Sequence, residues 1–508
     1  MLTKILSASH FGLEITPVDV EVNIFKKGFP GFNIIGLPNK AVEEAKERVK
    51  TALDNSGIEF PQAKIVVNLA PADIPKEGAG FDLPIAIGIL ASMDAVQLPK
   101  EKTMFFGELS LDGTLRHTKG VFLLAVGAKK LGVKRLYVPA DSASEGSVVE
   151  GIKVFPVKDL MQLVENLHGA TDIAPMKPKK ISTKDDLIPE FDFNEIVGQA
   201  QAKRAMEIAA AGGHNIFMMG PPGSGKTMLA RALAGILPPL GEEESLEVTK
   251  VYSVTGNIAP GESLIRRRPF RVSHHTTSRI GLIGGGSNPH PGEISLAHRG
   301  VLFLDEFPEF SRSTLEALRQ PLEDGKVSIT RAAGSVTFPA EFMLVSAANP
   351  CPCGYLGDPK RECKCSPRMI LRYHSKLSGP LMDRIDIHIS VPMIEPDKLA
   401  IFEHKPGESS EVIRKRVMKA RDIQSKRFKK AGIFSNSGMK NKHIKEFCKI
   451  EKESLLLLKQ AVNNYGLSAR TYFRLIKVSQ TIADLAGDSS IKQNHVAEAL
   501  QYRIRESE

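Results

Sequence analysis

Eight consecutive residues, Gly220, Pro221, Pro222, Gly223, Ser224, Gly225, Lys226 and Thr227, have the types and spacing of a loop that wraps a polyphosphate. Gly223 and Gly225 can take backbone angles closed to other residues, so successive N–H groups can turn toward one anion. Lys226 would reach the β- and γ-phosphates and the Thr227 hydroxyl would hold Mg²⁺. Met228 would lead into a helix whose N-terminus faces the same negative charge. The pattern predicts binding of a nucleoside triphosphate. Two carboxylates, Asp305 and Glu306, close a second apolar run. The first suits Mg²⁺ held through water, and the second suits a general base on the attacking water. Asn349 ends a third apolar run, where it would sit beside the γ-phosphate and position that water; a turn-forming Asn–Pro pair is the other reading.

Further clusters offer other chemistry. Arg266, Arg267, Arg268 and Arg271, with Phe270 among them, form a candidate for gripping phosphates and stacking a base; an ion-paired surface loop fits the same residues. Lys326 and Arg331 lie on two alternating runs that read as a hairpin, either gripping a nucleic-acid backbone in a pore or serving a subunit interface. Cys351, Cys353, Cys363 and Cys365 could supply four thiolates to a structural, tetrahedral Zn²⁺, or form a metal-free thiol loop. Cys448 stands alone and reads as packing. His274 and His275 are adjacent, which seldom lets two imidazoles converge on one ion, so packing or hydrogen bonding is expected of them. Between Arg414 and Lys430, nine basic residues face the single acid Asp422: a solvated helix face, or part of a DNA path.

These groups need elements to position them. The apolar residues 216–219, 301–304 and 342–348 read as buried strands, each delivering its polar residues at a C-terminal end, where ligands bind to parallel sheets. Residues 228–237 read as the helix after the phosphate loop. Nearer the N-terminus, residues 18–24 and 64–69 alternate as half-buried strands, and 41–56 has helical periodicity. The 508 residues exceed one core. We expect an α/β domain over 1–168, a polar linker over 169–189, a nucleotide module over 190–392 with the cysteine loop 351–365, and a helical lid over 393–508. The best membrane candidate, 81–93, is short and contains Pro84, and the first ten residues lack an apolar signal core, so a cytoplasmic protein without a membrane partner is expected. A net charge of +10 favours a polyanionic partner. Clustering four of five cysteines within fifteen residues argues for metal or redox chemistry rather than a disulfide framework.

The phosphate loop, the acid pair and the Asn-tipped strand, in this order, resemble an AAA+ ATPase, and residues 197–206 are similar to its adenine-side box. Residues 209–214, 292–298, 349–354 and 379–386 resemble the magnesium-chelatase-like AAA+ proteins of the YifB/ComM type over essentially the whole chain. The resemblance implies an AAA+ αβα core and a C-terminal helical lid. It makes Arg384 an arginine finger reaching a neighbouring subunit's γ-phosphate and Arg470 a second sensor, although spacing alone also fits ordinary ion-pair arginines. A finger acting between subunits implies a closed ring, a hexamer. The N-terminal domain resembles the Lon-protease, ribosomal-protein-S5-like fold. Its nucleophile position falls on Gly80 and its lysine position near Phe122 to Leu124, so proteolysis is not expected. The expectation is a hexameric ATP- and Mg²⁺-dependent motor on single-stranded or branched DNA, a helicase or branch-migration translocase of recombination or natural transformation. The alternative is a chelatase-type motor that remodels a protein partner, against which stands the lack of a D-x-S-x-S metal-adhesion motif.

Overall fold

A computed structural model of the chain describes residues 2–25, 29–72, 76, 78–177, 190–259, 261–286, 289–331, 334–358, 361–394 and 407–503. Most of the expected linker (178–189) and the expected start of the lid (395–406) lie outside the described residues.

A long antiparallel ribbon opens the chain. Its strands β1 (Leu2–Phe11) and β2 (Glu14–Phe25) pair from Leu2 opposite Asn23 to Phe11 opposite Glu14. Alternation sets its faces, with Val18, Val20 and Val22 buried. After β3 (Gly31–Ile35), β4 (Lys64–Ala70) and β5 (Thr103–Phe105), a short ribbon of β6 (Glu108–Leu109) and β7 (Leu115–Arg116) leaves the sheet. Then β8 (Arg135–Pro139) and β9 (Lys153–Val157) complete it in the order β3-β4-β2-β1-β5-β8-β9. The stretch weighed as a membrane span is the helix Asp82–Ser92, buried almost from end to end. Its all-round apolar surface suits a core helix, and Pro84 sits in the first turn, where no intrahelical N–H is needed. Gly80 lies beneath Phe106, whose ring an added Cβ would meet at 2.4 Å, and Phe122 to Leu124 are core residues. A nucleophile–lysine dyad has no room there.

The chain beyond residue 190 builds a five-stranded, all-parallel sheet from β10 (Ile216–Met219), β11 (Phe270–Ser273), β14 (Val301–Leu304), β17 (Met343–Ala348) and β18 (Ile387–Ser390). Between them lie a small pair, β12 (Gly284–Gly285) with β13 (His290–Pro291), and the hairpin β15 (Lys326–Arg331) with β16 (Gly334–Pro339). The order is β11-β14-β17-β10-β18. Continuous apolar runs at β14 and β17 are buried on both faces, as a helix-covered parallel sheet requires. One detail of this order governs the site: β17 lies between the strand that ends in the phosphate loop and the strand that ends in the acid pair. The C-terminal helices Ser410–Phe428 and Ala469–Ala486 close over the helix Ala200–Gly212 in one shared core. Among the described residues no helix is long and apolar enough to cross a membrane.

The N-terminal sheet unit packs directly on this core. Gly120 N–H donates to Ser253 O (3.0 Å), Ser144 Oγ to Glu262 O (2.9 Å) and Ser253 Oγ to the buried Glu145 carboxyl (2.9 Å). At another point the β1–β2 turn meets the β15–β16 hairpin so closely that a Cβ on Gly12 would lie 2.2 Å from Val336. Ile173, in the first part of the expected linker, is buried against the N-terminal core, and Met176 N–H donates to Val154 O (2.7 Å).

Candidate functional site

At the C-terminal edge of the parallel sheet, the phosphate loop connects β10 to the helix Lys226–Ile236. Gly220 must be glycine, because a Cβ would lie 2.1 Å from Val391 O; Gly223 and Gly225 have φ of 76° and 88°. Lys226 Nζ donates to Gly220 O (2.7 Å), Pro221 O (2.9 Å) and Asn349 Oδ1 (3.2 Å). Burial lowers the Lys226 ammonium from its usual value, and Asp305 opposes that shift. Thr227 Oγ1 donates to Asp305 Oδ2 (2.9 Å), and Asp305 Oδ1 accepts from Glu306 N–H (2.9 Å). Glu306 itself sits at φ 51°, a left-handed conformation uncommon for any residue with a Cβ, and its Oε2 lies 2.8 Å from His275 Nδ1. Pro222 is exposed, Met228 packs half-buried on the core, and Gln199 Nε2 donates to Pro392 O (2.7 Å) and toward Ser224 O (3.4 Å), tying the adenine-side segment to the loop.

These residues fit a nucleoside triphosphate with Mg²⁺. The Ser224 hydroxyl is buried inside the loop with no hydrogen-bond partner among the described residues. A hydroxyl and a carboxylate oxygen in contact offer the hard oxygen ligands that Mg²⁺ takes. Lys226 presents three protons in a water-poor setting, where a polyphosphate would compete for them.

Arg384, expected to reach a neighbouring subunit's γ-phosphate, and Arg470, expected as a second sensor, both lie away from this chain's own phosphate loop. Arg384 precedes β18, beside Asn215 at the start of β10, because Asn215 Nδ2 donates to Arg384 O (3.2 Å). It therefore sits at the N-terminal edge of the sheet, about 10 Å of strand away from its own phosphate loop. Its nearly buried guanidinium pairs with Glu323 and donates to Pro380 O (2.7 Å). Arg470 Nη2 reaches the other oxygen of Glu323 (3.3 Å). Arg474 beneath them pairs with Asp386 and donates to Arg384 O (2.8 Å). Burial alone would raise the Asp386 carboxyl, yet Arg474 and His214 hold it well below the usual range. The structure brings Arg384 and Arg470 together, and separates both from Lys226.

Comparison with known proteins shows the family. Residues 192–399 match the family model "Magnesium chelatase, subunit ChlI", 20–142 match "Subunit ChlI of Mg-chelatase", and 407–503 match "Magnesium chelatase, subunit ChlI C-terminal". Competence protein ComM of Haemophilus influenzae is 44% identical across 99% of this chain and 97% of its own length. This chain belongs to the YifB/ComM family of magnesium-chelatase-like AAA+ proteins. YifB of Escherichia coli is 42% identical over the same shares. The magnesium-chelatase 38 kDa subunit of Rhodobacter capsulatus is 26% identical over half of this chain and 74% of its own length.

The arginine cluster of this YifB/ComM family member departs from the expectation of a phosphate grip. Arg268 is largely buried; it pairs with both oxygens of Glu244 (3.0 and 2.7 Å) and donates to Arg299 O (2.7 Å). Arg271 pairs with both oxygens of Glu293 (2.7 and 2.8 Å), and Phe270 packs on the core beside Phe303. Two of the four arginines are structural and the aromatic ring is not available to a base. Arg266 and Arg267 are exposed. On the hairpin, Lys326 projects on the exposed face, whereas Arg331, exposed near the tip, shares the strand face of Val327 and Ile329, which fill the core with Val336 and Phe338; Arg331 Nε donates to Gly286 O (3.2 Å). The hairpin turn (332–333) lies outside the described residues. The basic helix is partly internal as well: Arg421 donates to Ala210 O and Phe434 O, and Arg427 pairs with Asp484.

The four clustered cysteines converge, with every Sγ within 4.8 Å of the others and the closest pairs at 3.4 to 3.6 Å. A tetrahedral ion with metal–sulfur bonds near 2.3 Å sets sulfurs about 3.8 Å apart, so the donor set fits zinc. Cys448 is half-buried against Met439, a packing role. Sequence reasoning expected packing or hydrogen bonding of His275 without finding its partner, and it missed Glu323 and Glu244. His275 is the partner of Glu306, Glu323 joins the two arginines, and Glu244 neutralises Arg268. Each is an ordinary residue far along the chain from its partner, with no local pattern to mark it.

Proposed function

We propose that this chain is an ATP- and Mg²⁺-dependent motor that acts on single-stranded or branched DNA as a closed hexameric ring. One observation carries the ring: the phosphate loop and the Arg384–Arg470 pair occupy opposite edges of one sheet. A catalytic arginine there can serve only the ATP held by a neighbouring copy, and head-to-tail contacts of this kind close into rings. In that assembly Lys226 binds and orients the β- and γ-phosphates, and Asn349 positions the attacking water. Glu306 takes the water's proton once it is released from His275. The neighbour's Arg384 and Arg470 offset charge on the transferring phosphoryl group. Mg²⁺ held by Thr227 and Asp305 would neutralise the phosphate oxygens.

The DNA assignment draws on the net charge of +10, on the exposed Lys326, Arg331, Arg266 and Arg267, and on the full-length likeness to a protein named for competence. The cytoplasm, where ATP and DNA meet, is the proposed location, with no membrane partner. Zn²⁺ would hold the cysteine loop as a structural ion. A second reading, a chelatase-type motor on a protein partner, is favoured by the likeness to the magnesium-chelatase subunit, which spans half of the chain.

The test is ATP turnover with and without single-stranded and four-way-junction DNA, using Glu306→Gln as the hydrolysis-dead control. Severalfold stimulation, weakened by salt and by Lys326→Ala with Arg331→Ala, supports the DNA motor. Turnover that no DNA stimulates at low salt transfers the assignment to the protein-remodelling reading.

A further inference from the structure

The loop that carries the cysteine cluster touches the phosphate loop through Gly354. Asn349, whose Oδ1 meets Lys226, is followed after one residue by the fully buried Cys351. The chain then turns at Gly354, with φ 85°, and lies against Pro222 of the phosphate loop: a Cβ there would be 2.6 Å from the proline ring and 3.9 Å from Asn349 Cγ. On the far side His374 Nε2 lies 3.0 Å from Pro350 O, and Cys365 adjoins Ser366, which caps the helix Pro367–His374. Three segments therefore meet at the sulfurs: the exit of β17, the Gly354 turn and the start of that helix.

Besides the ties of Arg361 to Tyr355 Oη (2.8 Å) and Asp358 Oδ1 (3.1 Å), the loop has little apolar packing to hold it. Between 350 and 366, among the described residues, only Cys351 and Gly354 are buried, and Leu356 is exposed. A loop without an apolar core keeps one conformation when a metal crosslinks it, since the binding free energy of the ion is also ordering free energy. The Gly354 contact then makes that order a property of the phosphate loop as well.

We propose that Cys351, Cys353, Cys363 and Cys365 bind one thiolate-held divalent ion that clamps Asn349 and Pro222 against the phosphate loop, so that metal loading governs ATP hydrolysis more than ATP binding. The inference rests on the ATPase reading above and gives the metal a task in it. Each ligating thiol releases its proton to solvent on binding, and no redox step is involved. The four cysteines and Gly354 are positioning residues: they act on the reacting groups through Asn349 and Pro222.

The experiment compares the zinc-loaded full chain with the same protein stripped by a chelator and then reloaded with Zn²⁺. The measurements are zinc per chain, turnover kinetics, binding of a fluorescent ATP analogue, and amide hydrogen exchange of residues 220–227 and 343–350. The clamp requires about one ion per chain. Stripping lowers kcat about tenfold or more, leaves analogue affinity within about threefold, and speeds exchange at 220–227; zinc reverses all three. Cys365→His, which keeps four ligands, retains the ion and kcat, whereas Cys365→Ala loses both. Stripped protein with unchanged kcat and unchanged exchange at 220–227 overturns the clamp. So does a parallel loss of binding, turnover and global folding, which marks a merely structural ion. Loaded protein that binds the analogue but hydrolyses no ATP under any condition overturns the ATPase reading itself, a failure separate from either.

Discussion

At the C-terminal end of the five-stranded sheet, Lys226, Asn349, Thr227 and Asp305 are already joined in two hydrogen-bonded pairs. At the N-terminal end, Arg384 and Arg470 share the single carboxylate Glu323 and are separated from those groups by the length of β18. The first end is pre-assembled by its own chain: two buried strands hold the acid and the amide, and a glycine loop holds the lysine between them. The second end holds two cations on an acid whose side chain is half exposed, a partner that an incoming phosphate can displace. Not every arginine at that end is of this kind. Arg474 and Arg268 are locked to Asp386 and Glu244 in nearly dry surroundings, and they belong to the scaffold. The difference teaches that the role of an arginine here follows from how exposed its acid is.

The strongest way to break the comparison is to cripple the two ends in separate chains. Arg384→Ala should lower ATP turnover about a thousandfold while leaving ATP binding intact, and mixing it with Lys226→Ala should restore part of the activity. A mixture as dead as its components would show that both ends serve one site in one chain. Next in size is Arg268→Ala, which strands the buried Glu244 and should cost about 3–5 kcal/mol of stability by denaturant unfolding. Arg266→Ala should change stability by less than about 0.5 kcal/mol; equal effects would erase the distinction between scaffold and surface arginines.

A third prediction concerns pH. Burial raises the Glu145 carboxyl to about 7 where it meets Ser253 of the core, against about 4.3 in an unfolded chain. Burial favours the neutral acid by more than the hydrogen bonds donated by Ser253 and Phe122 favour the carboxylate, so its contribution is complete below about pH 4, declines as pH rises to about 7, and is absent above. Glu145→Gln should flatten that decline, worth about 3–4 kcal/mol, in thermal unfolding followed from pH 4.5 to 8. The smallest effect expected is that of His275→Ala, which frees Glu306 and should raise DNA-free turnover by a few-fold, about 1 kcal/mol. Lowered turnover would make His275 an aid to Glu306 rather than its restraint.

Much of the nucleotide end was legible because its chemistry is local. The residues from Gly220 to Thr227 are contiguous, and Asp305, Glu306 and Asn349 each end an apolar run, so strand propensity and polarity report them together. The sheet order that sets Asn349 between loop and acids has no such local signature. The same limit explains the arginines. Four basic residues near Phe270 read as a patch until Glu244 and Glu293, more than twenty positions away, are seen to claim two of them. Glu323 and His275 lie 61 and 31 residues from Arg384 and Glu306, beyond the reach of any spacing rule.

The β1–β2 ribbon has a mechanical consequence. It is about 30 Å long, rooted in the seven-stranded sheet, and its tip at Gly12 bears on Val336 of the β15–β16 hairpin with no space for a side chain between them. A stiff beam seated this way has no slack. Any thrust along the hairpin loads the beam at its tip and is delivered, as leverage, to the sheet at its root.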